Sequence, residues 1–315
     1  VTVPKLLEPT RVDKYLAQVF PELSRSLVAN YCKQKLVRLG DGNTGLGKVL
    51  AAGDIVHGGE VLKLSFEIKP IQADGSKIKG ELAIKVIFKD ENLAVIEKPS
   101  GMPSVVLAND DPVTVADSLA KLGPEFLTAS ADKRESGLIH RLDNQSSGLM
   151  IAASSNLAWS LLRAKLKDGE IKKSYQCLIE EETNFKNFAL KLFLGAKGRK
   201  VRIESKNFED ATETTSTVTT NWSGKFKGKK LSIVTVSAEF AKRHQVRAHM
   251  AFLGHPLVGD SVYESNLSLG EFFSGTERQF ILHANYLSFT HPFENRVLAF
   301  NSDNDLLLGL LKEVG

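Results

Sequence analysis

The chain has 315 residues, 42% of them hydrophobic and 25% charged, with a formal net charge of +4. That length is comfortable for two domains, and the composition is that of an ordinary globular protein rather than a disordered or fibrous one. The slight excess of cations permits a nucleic-acid partner without demanding one, and no apolar run has the length needed to span a bilayer.

Residues 1–68 read as a small α/β module. Thr10 is placed to cap a helix, with Asp13 three residues on, and Val12, Tyr15, Leu16 and Val19 recur at helical spacing until Pro21. Ser24-Arg25-Ser26 opens a second helix whose apolar face is Leu27, Val28, Tyr31 and Cys32. Short strand-like pieces follow at Leu36–Leu39 and Asp54–Val56, between Gly-rich turns. Two helices and then a small β unit, with Ser-Arg-Ser at the second helix and Ala52-Gly53-Asp54-Ile55 near the end, resemble the S4 RNA-binding domain. The resemblance implies that basic side chains of the helix pair and loop meet an RNA backbone, and the candidates are Arg11, Lys14, Arg25, Lys33, Lys35 and Arg38. Taken singly, each is equally an ordinary solvated charge. Where such domains usually carry an Asn-Gly turn, this chain has Gly40–Gly47, a Gly-rich and less basic loop that implies weaker RNA affinity. Residues 69–81 combine Pro, Gly and charge without a steady period and read as a linker.

Residues 82–315 read as one larger domain. Leu82–Phe88 and Leu93–Ile96, joined by the turn Lys89–Asn92, form a hairpin that runs into the rigid loop Lys98-Pro99-Ser100-Gly101. Lys98 either approaches a phosphate or merely flanks that loop. Further on, Leu138 and Ile139 read as the end of a buried strand and Gly148–Ala153 as another, so Asp143 sits on a loop pinned by core at both ends. A lone carboxylate can act as nucleophile or general base, and the planar fork of Arg141 can anchor the loop or a phosphate. The bland alternative is a salt-bridged surface aspartate. Asn156 reads as the cap of a helix with Leu157, Leu161, Leu162 and Leu166 on one face, stopped by Gly169. Lys172–Ile179 is a strand by alternation and carries Tyr175, which serves either a site or the core.

Two cationic hairpin tips follow, Lys197–Arg202 with Arg199, and Gly224–Lys230 with Lys227 beside Phe226; they fit a surface that tracks phosphates, or solubility alone. After the strand Leu231–Ala238, Val246, Met250 and Leu253 share a helix face ended by Gly254. Arg243 and Arg247, four apart in the first turns of that helix, oppose its dipole and call for an anionic partner. His255, His283 and His291 have irregular spacing and Pro neighbours, so no metal site is expected. Cys32 and Cys177 fall in different domains and are expected as reduced core thiols. The first residues lack the apolar stretch of a signal peptide, which makes a cytoplasmic location the expectation.

The string His140-Arg141-Leu142-Asp143, two free positions, then Ser146-Ser147-Gly148 and an apolar run resembles the catalytic motif of the RluA-type pseudouridine synthases. The hairpin ending in Lys98-Pro99-Ser100-Gly101, the Lys173-Ser174-Tyr175 block, His244-Gln245-Val246-Arg247, the run Leu253–Tyr263 and Leu282-His283-Ala284 resemble further blocks of that family in the right order. Two departures stand out: Ser104-Val105-Val106 follows Pro103 where many members have a His, and Ala241-Lys242 replaces the usual Gly-Arg. The resemblance implies an α+β fold with a mixed, mostly antiparallel sheet flanked by helices. It implies a cofactor-free, metal-free monomeric isomerase that converts a uridine in structured RNA, ribosomal rather than transfer RNA. Asp143 maps onto the catalytic aspartate, Tyr175 onto the tyrosine against the base and Arg247 onto the arginine paired with the aspartate, with Arg141 and His140 beside the substrate. Attack at the uracil ring, attack at the sugar C1′ and elimination all stay open. So do an RNA-binding or ribosome-assembly protein with weak or lost catalysis, and a transfer-RNA-modifying synthase. A carboxylate hydrolase would need a second acid at a recognisable spacing, which is lacking.

Overall fold

The computed structural model describes residues 1–5, 8–20, 23–40, 47–68, 72–107, 111–197, 200–204, 211–238 and 241–314. They form two compact units, Val1–Gln72 with Val106–Asp111, and Ala73–Val105 with Pro112–Gly315.

The small unit contains β1 (Thr10–Arg11), α1 (Val12–Val19), α2 (Arg25–Lys33), β2 (Val37–Leu39), β3 (Ile55–Val56) and β4 (Leu62–Leu64). Val12, Tyr15 and Leu16 of α1 and Val28 and Cys32 of α2 close on Val37, Val56 and Leu62. β1 pairs with β3 and β2 with β4, both antiparallel. Ser24 caps α2 by accepting the Leu27 N–H at 3.1 Å. Thr10 does not cap α1; it lies in β1, and Arg11 occupies the cap position without a side-chain bond. Asp13 is buried and takes Arg11 and Arg25 at 3.0 Å each instead of reaching back to the cap. Burial pushes its carboxyl up, but the two guanidiniums together pull it below the ordinary range. Val19 is 42% exposed because α1 ends there, before another turn could cover it. Pro21 and most of the Gly40–Gly47 loop lie outside the described residues.

The large unit contains β5 (Lys85–Lys89), β6 (Leu93–Lys98), α3 (Val115–Leu122), α4 (Glu125–Ala129), β7 (Ser147–Ala153), α5 (Asn156–Lys167), β8 (Lys172–Glu180), β9 (Phe188–Lys197), β10 (Lys200–Glu204), β11 (Thr212–Phe226), β12 (Lys229–Ser237), α6 (Gln245–Phe252), β13 (Leu282–Thr290), β14 (Val297–Asn301) and α7 (Asp305–Val314). The expected linker is, from Ala73 on, part of this unit. The Ala73 N–H donates to the Lys133 carbonyl at 3.1 Å and the Asp74 N–H to Asp117 Oδ1 at 2.7 Å. Backbone bonds hold this stretch, which is why its side chains show no period.

The strands form a mixed, mostly antiparallel sheet in the order β10-β9-β11-β12-β8-β13-β7-β6-β5, with β14 also on β13. Helices cover both faces. Leu93, Val95 and Ile151 meet Ala158 and Leu162 of α5, whereas Ala94, Ile96, Met150 and Ala152 meet Val115, Leu119 and Phe126. All seven residues of β7 are therefore buried, and the strand reads as continuous apolar sequence rather than alternation. In α5, Ser155 rather than Asn156 is the cap, accepting the Ala158 N–H at 3.2 Å. This rotates the helix so that Ala158 and Leu162 face the core while Leu157 is 61% exposed.

The strand pair that positions the site is parallel. β7 meets β13 at Ser147↔His283 and Gly148↔Ala284. The Ser147 hydroxyl bonds His283 Nδ1 at 2.8 Å, and His283 Nε2 meets the Ser302 hydroxyl at 3.0 Å. Gly148 has φ +110, and a Cβ there would lie 2.4 Å from the Ala284 carbonyl oxygen. Gly148→Ala is therefore expected to lower stability by roughly 3 kcal/mol through strain and separation of this pair, read as a drop in the thermal unfolding midpoint; an unchanged midpoint contradicts the close approach.

Candidate active site

Asp143 is offered by a loop held from two sides. Leu138 and Ile139 are buried and dock on β7, through a bridge to Ala152 and a 3.0 Å bond from the Ile139 N–H to the Ile151 carbonyl. They form isolated contacts rather than the strand end expected. On the other side, Lys98 ends β6 with 0% exposure. Its Nζ donates to the carbonyls of Pro99 at 2.9 Å, Asn144 at 3.0 Å and Ser146 at 2.6 Å. Lys98 thus does not face a phosphate; it suspends the loop that carries Asp143. Burial pulls its ammonium down to about 7 while the nearby Asp143 charge pushes it back up, and three carbonyl acceptors match the charged form. The Ser104 hydroxyl donates to the Leu142 carbonyl at 2.8 Å and accepts the Leu142 N–H at 3.2 Å. Ser100 adds a 2.6 Å bond to the Gln145 carbonyl.

Arg247 comes from α6 and joins two acids. Its Nη1 donates to Asp143 Oδ2 at 3.0 Å, while Nε and Nη2 clasp Asp260 at 2.6 and 2.8 Å. Asp260, which lies in the run read as a structural turn, was not legible as a site residue. No spacing rule ties it to Arg247, and its only signal was the cation's need for an anion. The guanidinium also lies over the rings of Phe280, 4.5 Å away, and Tyr263, 5.2 Å away. Flat rings and a bidentate carboxylate fix the fork in a plane. Arg243 is not on the same face as expected, because α6 begins only at Gln245 and Arg243 precedes it in the loop.

His244 is the second neighbour of Asp143 that sequence reasoning did not place in the site. Its Nε2 is 3.6 Å from Asp143 Oδ2 and its Nδ1 is 3.3 Å from the Tyr263 hydroxyl. The residue adopts φ +56, a left-handed conformation that strains a non-glycine residue. Burial lowers its basicity against the pull of Asp143. Both contacts to Asp143 fall on Oδ2, so Oδ1 has no protein partner among the described residues. Gln245 ties the loop before α6 to the sheet, donating to the Thr215 carbonyl at 2.9 Å and accepting the Lys242 N–H at 3.0 Å. That loop forms with Ala241-Lys242 in place of Gly-Arg.

A pocket opens over Asp143, lined by Arg141, Leu142, Ser146, Tyr175, His244, Val246 and Leu282 among others. Tyr175 stands in β8 opposite Val236 and is 5% exposed. Burial, reinforced by the Asp143 charge, pushes its phenol far above the ordinary range. The phenol is therefore held neutral, with a flat ring and an O–H donor. Arg141 is exposed at the rim. His140 does not line the pocket. Its Nε2 accepts the Ile151 N–H at 3.4 Å, and burial together with the charges of Lys173 and Arg163 holds its imidazole well below the usual range, in the neutral form.

The match to known proteins decides the family. Residues 92–252 match the family model described as RNA pseudouridylate synthase. The chain belongs to this family. The matched span carries Asp143, Tyr175 and Arg247 and stops short of Asp260. The ribosomal large subunit pseudouridine synthase D of Pseudomonas aeruginosa is 28% identical over 297 residues, covering 92% of this chain and 87% of that one. An uncharacterized RNA pseudouridine synthase of Aquifex aeolicus is 26% identical over 302 residues, covering 93% and 90%. Among solved structures, human RNA pseudouridylate synthase domain containing 1 shares the fold, with a TM-score of 0.56 and 20% identity over 74% of this chain and 89% of that chain. The protein is thus an RNA pseudouridine synthase, an isomerase. Among the described residues no cluster suited to a metal ion is found, and no helix is long and apolar enough to cross a membrane.

The remaining cations of the synthase divide by position. The Lys200 end of the β9–β10 hairpin reaches Tyr263, with Lys200 bonded to Glu264 at 2.9 Å. It lies beside the site, whereas Arg199 falls outside the described residues. Lys227 lies at the other end of the β8–β12 ladder, more than roughly 20 Å along the strands from Tyr175, and donates to the Phe272 carbonyl at 2.8 Å. Phe226 beside it is core, 6% exposed, and offers no ring to a base. In the small unit Lys14, Lys33 and Lys35 are exposed, Arg11 and Arg25 share Asp13, and Arg38 reaches the Gly47 carbonyl at 3.4 Å.

Lys98→Met is expected to leave three carbonyls unpaired and cost roughly 3 kcal/mol, with turnover falling more than RNA affinity; a variant as stable and active as the parent removes the clamp. His249, fully buried on α6 and bonded to Thr214 at 3.0 Å, is held neutral by burial, which lowers its pKa to about 4. The unfolded chain takes up a proton near pH 6.5 and the native one does not until about 4, so stability falls as pH drops through that window, by roughly 3 kcal/mol. Urea titrations at pH 7 and pH 4.5 read this, and His249→Gln should flatten the difference.

Proposed function

We propose that the protein converts a uridine of large-subunit ribosomal RNA to pseudouridine with Asp143 as the nucleophile, and that the small unit is an S4-like RNA-binding domain. The observation that carries the reading is Arg247 holding Asp143 Oδ2 at 3.0 Å while Oδ1 has no protein partner among the described residues. An oriented carboxylate beside a buried tyrosine fits one flipped nucleotide. The ribosomal assignment follows the printed name of relatives such as ribosomal large subunit pseudouridine synthase D.

The target nucleotide leaves its stack and its uracil lies against Tyr175. The bond from C1′ to N1 breaks, the base turns over, and a bond from C1′ to C5 forms. C5 loses a proton and N1 gains one, so no atom is added or removed overall. Arg247 aims Asp143 and Asp260 aims Arg247. Arg141 at the rim meets the phosphate of the flipped nucleotide. His140, neutral behind the loop, supports the substrate only through the loop it underlies. Asp260 is 1% exposed and engaged at both oxygens by Arg247, so it does not serve as the second acid of a hydrolase. Lys14, Lys33, Lys35, Arg11, Arg25 and Arg38 add backbone contacts whose affinity falls with salt.

Asp143→Asn is expected to lower turnover by at least about a thousandfold, measured by pseudouridine mapping of ribosomal RNA from a deletion strain carrying the variant; unaltered modification ends the nucleophile assignment. Arg247→Lys keeps a charge beside Asp260 but loses the fork, so turnover should fall about a hundredfold with RNA affinity nearly intact. Equal loss of both would mean that Arg247 contacts phosphate instead.

A further inference from the structure

Ser146 closes the catalytic loop, and its backbone is fully engaged. Its N–H donates to the Asp143 carbonyl at 3.0 Å and its carbonyl accepts Lys98 Nζ at 2.6 Å. The side chain is another matter. Ser146 is 2% exposed and lines the pocket with Asp143 and Tyr175, yet among the described residues its Oγ has no hydrogen-bond partner. The other hydroxyls of the loop and its brace are satisfied: Ser147 by His283, Ser100 by Gln145 and Ser104 by Leu142. A buried hydroxyl left open destabilises the free protein, and a tight turn alone would accept alanine or glycine there. The orphan group points to a ligand.

Building on the proposed uracil pocket, we propose that Ser146 Oγ is the partner of the target base's imide edge, accepting a hydrogen bond from N3–H. The reaction itself requires a partner of this kind. The detached base must exchange N1 for C5 opposite C1′, which is half a turn about the axis through N3 and C6. That turn swaps C2=O with C4=O and leaves N3–H in place. A group bonded to N3–H therefore serves uridine and pseudouridine alike. A hydroxyl has lone pairs for N3–H and a proton for whichever carbonyl lies beside it. A carboxylate has no proton to give and an ammonium no lone pair. Ser146 is thus a specificity residue that tolerates both ends of the isomerisation, which the neighbouring Asp143 carries out.

The test uses the full-length protein and total RNA from a strain lacking it, labelled at uridine C5 with tritium, which is released as C1′ bonds to C5. Ser146→Ala should lower the rate about tenfold with RNA affinity unchanged. Ser146→Cys, similar in size but a weak acceptor, should match it, and Ser146→Thr should retain most activity. A stem-loop carrying N3-methyluridine at the mapped position should be a poor substrate for the parent, while the same methyl group should add little further loss in Ser146→Ala. Parental rates in Ser146→Ala, or an equal methyl penalty in both proteins, overturn the assignment and leave the enzyme reading standing. No tritium release by the parent from any RNA removes both.

Discussion

The site depends on one guanidinium shared by two carboxylates. Asp260 takes two of its nitrogens from below, and Asp143 takes the third at the pocket. An arginine buried to 5% exposure without such partners would be costly, and two carboxylates give its N–H donors the acceptors that one alone could not. Asp260 fixes the plane of the fork, and the plane fixes which oxygen of Asp143 is held and which is left. The arrangement joins three distant parts of the chain: the loop before β7, helix α6 and the turn after it.

Asp143 owes its placement to backbone as much as to side chains. The loop from Leu142 to Ser146 carries its carbonyls towards Lys98, Ser100 and Ser104. Suspending a loop by its carbonyls leaves its side chains for chemistry. Ser104, a small hydroxyl that both donates and accepts, braces the loop at Leu142. The Ser147–His283 bond and the close approach at Gly148 then lock the far end of the loop to the sheet.

Errors in reading the chain cluster where a helix start or a side chain's burial is set by something remote. Thr10 looked like a cap because it precedes an apolar pattern, but pairing with Val56 drew it into a strand. Of the face expected for α5, Leu162 is buried and Leu166 packs against the core, whereas Leu157 and Leu161 are exposed and Ala158 takes the inward place. Lys98 could be read as a phosphate contact or as a residue flanking the loop, and three converging carbonyls are what make its burial bearable. Phe226 among lysines looked like a stacking platform, yet strand alternation in β11 points it at the core beneath α7.

From the order of residues alone, the family and the fold class could be read, and Asp143, Tyr175 and Arg247 could be picked out as a set. Local strings such as His-Arg-Leu-Asp and Lys-Ser-Tyr carry that information because the chemistry needs those groups on adjoining backbone. The tertiary structure decided what those groups touch: Asp260 behind Arg247, His244 in a left-handed turn beside Asp143, Lys98 beneath the loop and the open hydroxyl of Ser146. Lys98 reaches the loop from 46 residues away and Arg247 from 104, while Asp260 meets Arg247 from 13 residues on, and no periodicity within one segment records which partner will arrive from another.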